Sequence, residues 1–499
     1  MSSSVRPRKT GLIVFASRIV SVFTGLLFLV MMTRWLSPSQ FGLWEFIIDI
    51  VAFAAYPTGI ITYWATREVA RAKPVARTAL LTSQITSVLG VGVYLLLAFL
   101  SYREVGSALG PFLLSIALVP LAYWTQSSAS LVSGYDPAIS GYSLFLSEPA
   151  KLIVAYPLLF IFRTGIYGVI TAIAVSYLVQ GLYATYRLKP ASTDKFSLSL
   201  GLGWLKDWHV PTLVTASYIL SIADTFAASI GQGGTSLAGF YQAAFQIATI
   251  VSYATYLSVA LYPLMLRNAT EKLPGEVLEF ALLFAMPMAA GAIAVAPKIL
   301  YLLKPEYVAS SPALVVLSFA AVASLVSVVM DQSLMGRERA DLAQEDRRNK
   351  ILGSDLFFVS AANVASTGAY VAAVFFLGYF GTRSGVSDPQ IALYWAVAQL
   401  VTWSVLAGVK VTRLRSRIRF TVSPWVGVYA ACGFVMGVAV YLVGGVVLTS
   451  GLDAFEYGLR LGLIILLGTA IYFGMVAAVD AKVRGYIRAV MKAVRSPVP

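Results

Sequence analysis

The chain has 499 residues, 58% of them apolar and only 12% charged, with a mean hydropathy of +0.78. Soluble domains carry about 25% charged residues, so this composition excludes a soluble protein and places the chain in a membrane. The net charge of +14 does not signal nucleic acid, because the basic residues sit in short segments between apolar runs, and the lone Cys432 excludes disulfides and thiolate metal sites.

Fourteen apolar runs can be marked, near 11–32, 43–64, 79–100, 110–132, 142–162, 164–186, 209–230, 237–262, 278–303, 312–334, 354–380, 391–410, 423–448 and 457–479. Each is about as long as the ~20 residues that cross a ~30 Å hydrocarbon core as a helix. The first two, joined by Thr33–Gly42, form an antiparallel hairpin. The first run is too long for the apolar core of a signal peptide and reads as an uncleaved helix. The split at Phe162-Arg163-Thr164-Gly165 and the long run after Ser354 are the points where a different division is conceivable. His209, the single histidine, stands beside Pro211 at the start of the seventh run and reads as an ordinary helix-entrance residue.

With the N-terminus inside, 28 of the 37 Lys and Arg residues fall in inner segments and five in outer ones. That bias satisfies the positive-inside rule along the whole chain and puts both termini in the cytoplasm. Helices one to six (11–186) and seven to twelve (209–410) look like repeats. Gln40-Phe41-Gly42-Leu43-Trp44 after helix one is echoed by Leu237-Ala238-Gly239-Phe240-Tyr241 after helix seven. Two parallel repeats about an axis normal to the membrane would place a substrate between them. The expected fold is therefore all-α and polytopic: an N-lobe over 1–187, a cytoplasmic linker over 188–208, a C-lobe over 209–411, a helix pair over 412–480 and a basic tail over 481–499.

Thr33-Arg34-Trp35-Leu36-Ser37-Pro38-Ser39-Gln40-Phe41-Gly42-Leu43-Trp44 resembles the "aR-x-L-s-p-x-e-f-G-x-y/w" signature of polysaccharide and O-antigen flippases. Asp224 with Leu237-Ala238-Gly239-Phe240-Tyr241-Gln242-Ala243-Ala244 resembles their "D…a-v-G-x-Y-x-a-A" pattern, and Gly336-Arg337 resembles their "G-R" after helix ten. These proteins belong to the multidrug/oligosaccharidyl-lipid/polysaccharide (MOP) exporter superfamily. The resemblance implies a V-shaped cavity between two six-helix lobes, alternating access, and an undecaprenyl- or dolichyl-pyrophosphate-linked glycan as substrate. It also implies membrane lipids and glycosyltransferases of the same pathway as partners.

Ionisable residues at membrane depth carry the functional reading. Arg18 in helix one and Glu148 and Lys151 in helix five form a candidate inner cluster; Arg offers a bidentate phosphate clamp and Lys a point charge. The alternative is an internal ion pair that only holds the lobe together. Asp49 in helix two and Asp224 in helix seven are candidate coupling carboxylates for Na⁺ or H⁺, or else structural hydrogen-bond partners. Glu45 reads as solvated near the outer boundary. Lys298, Asp331, Asp355 and Arg460 read as snorkelling residues near helix ends. Tyr63-Trp64, Tyr123-Trp124, Tyr253 and Tyr256 offer sugar-stacking faces, with belt or packing roles the commoner use. No catalytic residue, metal or organic cofactor is expected: the chain has no D-x-D motif, no Walker A sequence and no large loop. A cation-coupled drug or metabolite exporter is the competing reading.

Overall fold

The computed structural model describes residues 7–70, 73–103, 105, 108–189, 192–206, 208, 212, 234–258, 271–337, 354–418, 420–448 and 453–485. Among the described residues all regular structure is helical. Ten helices among the described residues are long and apolar enough to cross a membrane, or eleven when one bent pair counts as a single span. The protein is a multi-pass membrane protein. The seventh run, 209–230, lies outside the described residues apart from Thr212, and so do Asp224 and the side chain of Arg18.

The chain divides into two compact units, Met1–Gln242 with Val371–Ile391, and Ala243–Tyr370 with Ala392–Pro499. The first unit opens with α1 (Pro7–Trp35), α2 (Pro38–Ala55) and α3 (Pro57–Ala70). The start of α2 is written into the sequence. Ser37 Oγ accepts from Gln40 N at 3.2 Å and Gln40 Oε1 accepts from Ser37 N at 3.2 Å, with Pro38 at the first helical position. This reciprocal capping box satisfies two orphan donors and rewards Pro where no N–H is needed.

The run 43–64 was expected as one helix, but α2 and α3 bend by 53° at Tyr56-Pro57. Proline has no N–H to donate and its ring clashes with the preceding turn, which kinks the helix. The Tyr123 hydroxyl donates to the Ala54 carbonyl at 2.9 Å beside the break. Tyr123 is fully buried and serves the packing of this elbow; it presents no stacking face.

Next come α4 (Ala76–Ser101), α5 (Leu109–Ser115), α6 (Leu118–Tyr135), α7 (Pro137–Tyr156), α8 (Ile166–Arg187) and α9 (Leu198–Lys206). Here α7 lies between α1 and α8, and α6 packs on α3, α4 and α8. The split after α7 is built as the sequence suggests: Arg163 and Gly165 take positive φ of 52° and 59°. The first turns of α10 (Thr235–Ser252) also belong to this unit.

The second unit holds the rest of α10, then α11 (Leu273–Ala294), α12 (Ala296–Leu303), α13 (Ser311–Arg337), α14 (Asp355–Arg383) up to Tyr370, α15 (Asp388–Arg415) from Ala392, α16 (Trp425–Val447) and α17 (Ala454–Val479). The long run after Ser354 is the single 29-residue helix α14. Its core is made by Leu278, Leu282, Leu325, Val329, Met330 and Leu414 with their neighbours. The final pair is tied to this unit: α16 packs on α11, and the Tyr472 hydroxyl donates to the Leu283 carbonyl at 2.9 Å.

Candidate functional site

Among the described residues, each unit holds a polar cluster inside its helical bundle. In the first unit α1 and α7 run side by side and bring Thr24 to Glu148. The Thr24 hydroxyl donates to Glu148 Oε2 at 2.7 Å, and Lys151 Nζ, one turn further along α7, lies 2.8 Å from the same oxygen. Both charged side chains are nearly buried, at 10% and 13% exposure. The Lys151 ammonium also stands 5.1 Å from the Phe28 ring centre, within cation–π range. Glu148 and Lys151 are thus brought together as an ion pair. Arg18 is six residues before Thr24 on α1, about 9 Å along the axis at 1.5 Å per residue.

Asp49 sits half-buried on α2, one turn after Glu45. Glu45 itself is buried, at 8% exposure, and is not the solvated boundary residue its position suggested. The cause is the packing of α2, on which Phe41, Trp44, Phe46 and Ile47 are buried around it.

The second unit contains a cavity of about 310 Å³ between α10, α13 and α15, in which Thr249, Ser252, Ser324, Gln399 and Trp403 interrupt an apolar wall. On α13 the lining residues Leu317, Ala320, Ser324 and Val328 form one face, and the same face continues to Asp331. On α15 Gln399 and Trp403 share a face that continues seven residues on to Lys410. These faces converge past the cavity, three residues after Val328 on α13 and seven residues, about 10 Å, after Trp403 on α15. Lys410 Nζ lies 2.6 Å from Asp331 Oδ1 and donates to Ser327 Oγ at 2.7 Å and Asn363 Oδ1 at 2.6 Å. Asn363 Nδ2 donates to Asp331 Oδ2 at 3.2 Å, and Lys410 is fully buried.

No family model and no curated protein matches this chain in sequence. Solved structures do match. The lipid II flippase MurJ in an inward closed conformation is similar at TM-score 0.59 and 13% identity, over 94% of this chain and 99% of that one. An inward-facing multidrug resistance MATE transporter of the MOP superfamily is similar at TM-score 0.58 and 17% identity, over 80% and 94%. A MOP superfamily transporter from Pyrococcus furiosus is similar at TM-score 0.54 and 15% identity, over 83% and 96%. The fold is that of the MOP exporters.

Within this MOP fold, Asp331 was expected to snorkel and instead anchors a buried network, because α13 extends past it to Arg337 and α14 and α15 cover it. Asp355, at the start of α14, is paired with Arg413 at 2.9 Å and Arg417 at 3.7 Å. Lys298 donates to the Tyr441 carbonyl at 3.0 Å, and Arg460 pairs with Glu456 one turn before it. Lys410, at the end of the twelfth apolar run, lies within α15, five residues before its last residue Arg415. One signal was available in the sequence: Lys410 is seven residues from Trp403, on the same face as two residues that interrupt an apolar wall.

Proposed function

We propose that the chain is an exporter of fourteen helices, both termini cytoplasmic, that moves a polyprenyl- or dolichyl-pyrophosphate-linked oligosaccharide across the cell membrane by alternating access. The observation that carries this reading is coverage. The flippase likeness takes in 94% of the chain, including residues beyond the 80–83% that the multidrug-transporter likenesses span. The substrate class is taken from the lipid II flippase, lipid II being itself lipid-linked. Positive-inside bias and the flippase-like motif at Thr33–Trp44 support the same reading.

Arg18, with Lys151 and Glu148, is proposed to meet the pyrophosphate, and Asp49 and Asp224 to carry a coupling ion, Na⁺ or H⁺. Substrate would be supplied by glycosyltransferases working on the inner leaflet. A cation-coupled multidrug or metabolite exporter is the second reading. It is favoured by the Glu148–Lys151 pair, which neutralises one of the two cations an anionic headgroup would use.

The deciding experiment is reconstitution into proteoliposomes with a fluorescent lipid-linked oligosaccharide in the outer leaflet's reach of an impermeant quencher. Protein-dependent exchange of the lipid between leaflets is expected. Absence of exchange, with ion-driven movement of a cationic dye, would select the multidrug reading. Cysteine labelling on a Cys432→Ser background tests the topology: Ser107 and Ser387 substitutions should react with an impermeant reagent from outside, and a Ser192 substitution should not.

A further inference from the structure

The Lys410 network has the composition of a cation site with the cation already in it. An ammonium has three N–H donors and no acceptor. Two of them are donated, to the amide carbonyl of Asn363 at 2.6 Å and the hydroxyl of Ser327 at 2.7 Å, and the charge pairs with Asp331 Oδ1 at 2.6 Å. Carboxylate, amide carbonyl and hydroxyl oxygens are also the donors that a hard metal cation takes. The Asn363 amide is held in place by its own N–H to Asp331, so its carbonyl oxygen faces the charge.

Stability alone gives a weak reason for this arrangement. A buried ion pair is commonly no more stabilising than apolar residues of the same volume. Among the described residues, Asp355 is paired with Arg413 and Arg417, and Arg337 lies six residues beyond Asp331 on α13. The four residues come from three different helices, α13, α14 and α15, and border the cavity: Ser327 adjoins the lining residue Val328 on α13, and Lys410 is two turns past Trp403 on α15. A charge released or captured here would therefore be felt where the polar wall of the cavity begins.

We propose that Ser327, Asp331 and Asn363 form a monovalent-cation site in the second unit, and that the Lys410 ammonium is its built-in occupant. A tethered cation of this kind makes the site blind to sodium in the native chain and leaves the proton of Lys410 as the only charge that can come and go there. Its bearing on transport rests on the exporter reading above. The site itself does not, so it is tested without any substrate.

The experiment is thermal melting of the purified full chain in detergent, in sodium chloride against choline chloride of equal ionic strength. Native protein should melt at the same temperature in both. Lys410→Met empties the site and should gain a sodium-specific rise of about 3 °C or more, since a ligand bound only by the folded state stabilises it. The double variant Asp331→Asn with Lys410→Met should fold and lose that rise. A folded Lys410→Met protein with no sodium-specific rise overturns the proposal, and so does a native protein that shows the same rise. A Lys410→Met protein that cannot be recovered folded in sodium-rich buffer, beside a double variant that can, overturns it equally, because an open cation site would have filled.

Discussion

Gly42 on α2 and Gly239 on α10 face each other backbone to backbone. A Cβ built on Gly42 would stand 2.8 Å from the Gly239 nitrogen and overlap the Thr235 carbonyl oxygen, and one built on Gly239 would overlap the Pro38 carbonyl. Ser39 and Thr235 share a hydrogen bond of 2.7 Å at the same crossing. The two glycines are the matching members of the sequence echo. Only glycine permits helices to approach so closely.

The first prediction follows from that contact. Gly42→Ala and Gly239→Ala should each lower stability by about 1–3 kcal/mol, the range for forcing extra atoms into a packed contact. Gly59→Ala, where a Cβ meets nothing within 4 Å, should be near neutral. Melting temperatures of the three variants decide it; equal effects at Gly42 and Gly59 would mean the crossing is looser than described.

Glu148 and Lys151 form a nearly buried pair, so removing one charge strands the other. Lys151→Met should cost stability approaching the ~3–5 kcal/mol seen when buried pairs are broken, and Glu148→Gln combined with Lys151→Met should recover most of it. A double-mutant cycle read by chemical or thermal unfolding measures the coupling. Additive losses would show that the pair is bridged or solvated.

Arg18 is expected to hold the pyrophosphate of the substrate. Arg18→Ala should abolish lipid exchange while the protein still inserts and folds, and Arg18→Lys should restore only part of it because the planar fork is lost. Normal exchange by Arg18→Ala would remove this residue from the binding site.

For the coupling ion, Asp224→Asn should lose the dependence of transport on an imposed Na⁺ or pH gradient more than it loses substrate affinity. Asp49→Asn should be milder, because Glu45 is one turn away on the same helix. Proteoliposome transport under each gradient is the measurement. Unchanged gradient dependence in Asp224→Asn would leave coupling to other groups.

The sequence was most readable where the membrane constrains it most. Apolar run lengths mark the long helices because a bilayer accepts few alternatives to a long apolar helix. The break at Arg163–Gly165 and the unbroken α14 both lie where the runs suggested. Local chemistry was less legible. The bend at Pro57 could have been read from the proline, but hydropathy sees only a continuous run. Glu148 with Lys151 could be anticipated from their i,i+3 spacing. Asp331 with Lys410 could not, because 79 residues separate them and each stands near a helix end, where a snorkelling charge is the ordinary case. Asn363 and Ser327 carry no charge to attract notice; only the packing of α13, α14 and α15 gives them a role.

The elbow between α2 and α3 yields another prediction. Tyr123→Phe removes the donor to the Ala54 carbonyl and should destabilise the first unit by about 1–3 kcal/mol, the cost of leaving a buried acceptor unmet. Hydrogen exchange of amides around Phe53–Gly59 is the local readout, with faster exchange expected in the variant and unaltered exchange counting against the role.

A proline bend inside a span is commonly a joint. This one is closer to a bracket. The carbonyl that the bend exposes is claimed by a phenol from a different helix, and Gly90 of α4 lets that helix's backbone come up against the same carbonyl and the same ring. Hydrocarbon offers no water to take over the bond if the pieces separate. The angle between α2 and α3 is therefore fixed by α4 and α6, and a force applied at one end of the elbow reaches the other end as rotation of a solid body. A shape change in the working cycle has to find its give somewhere else, in segments whose polar backbone is not already held by a neighbour.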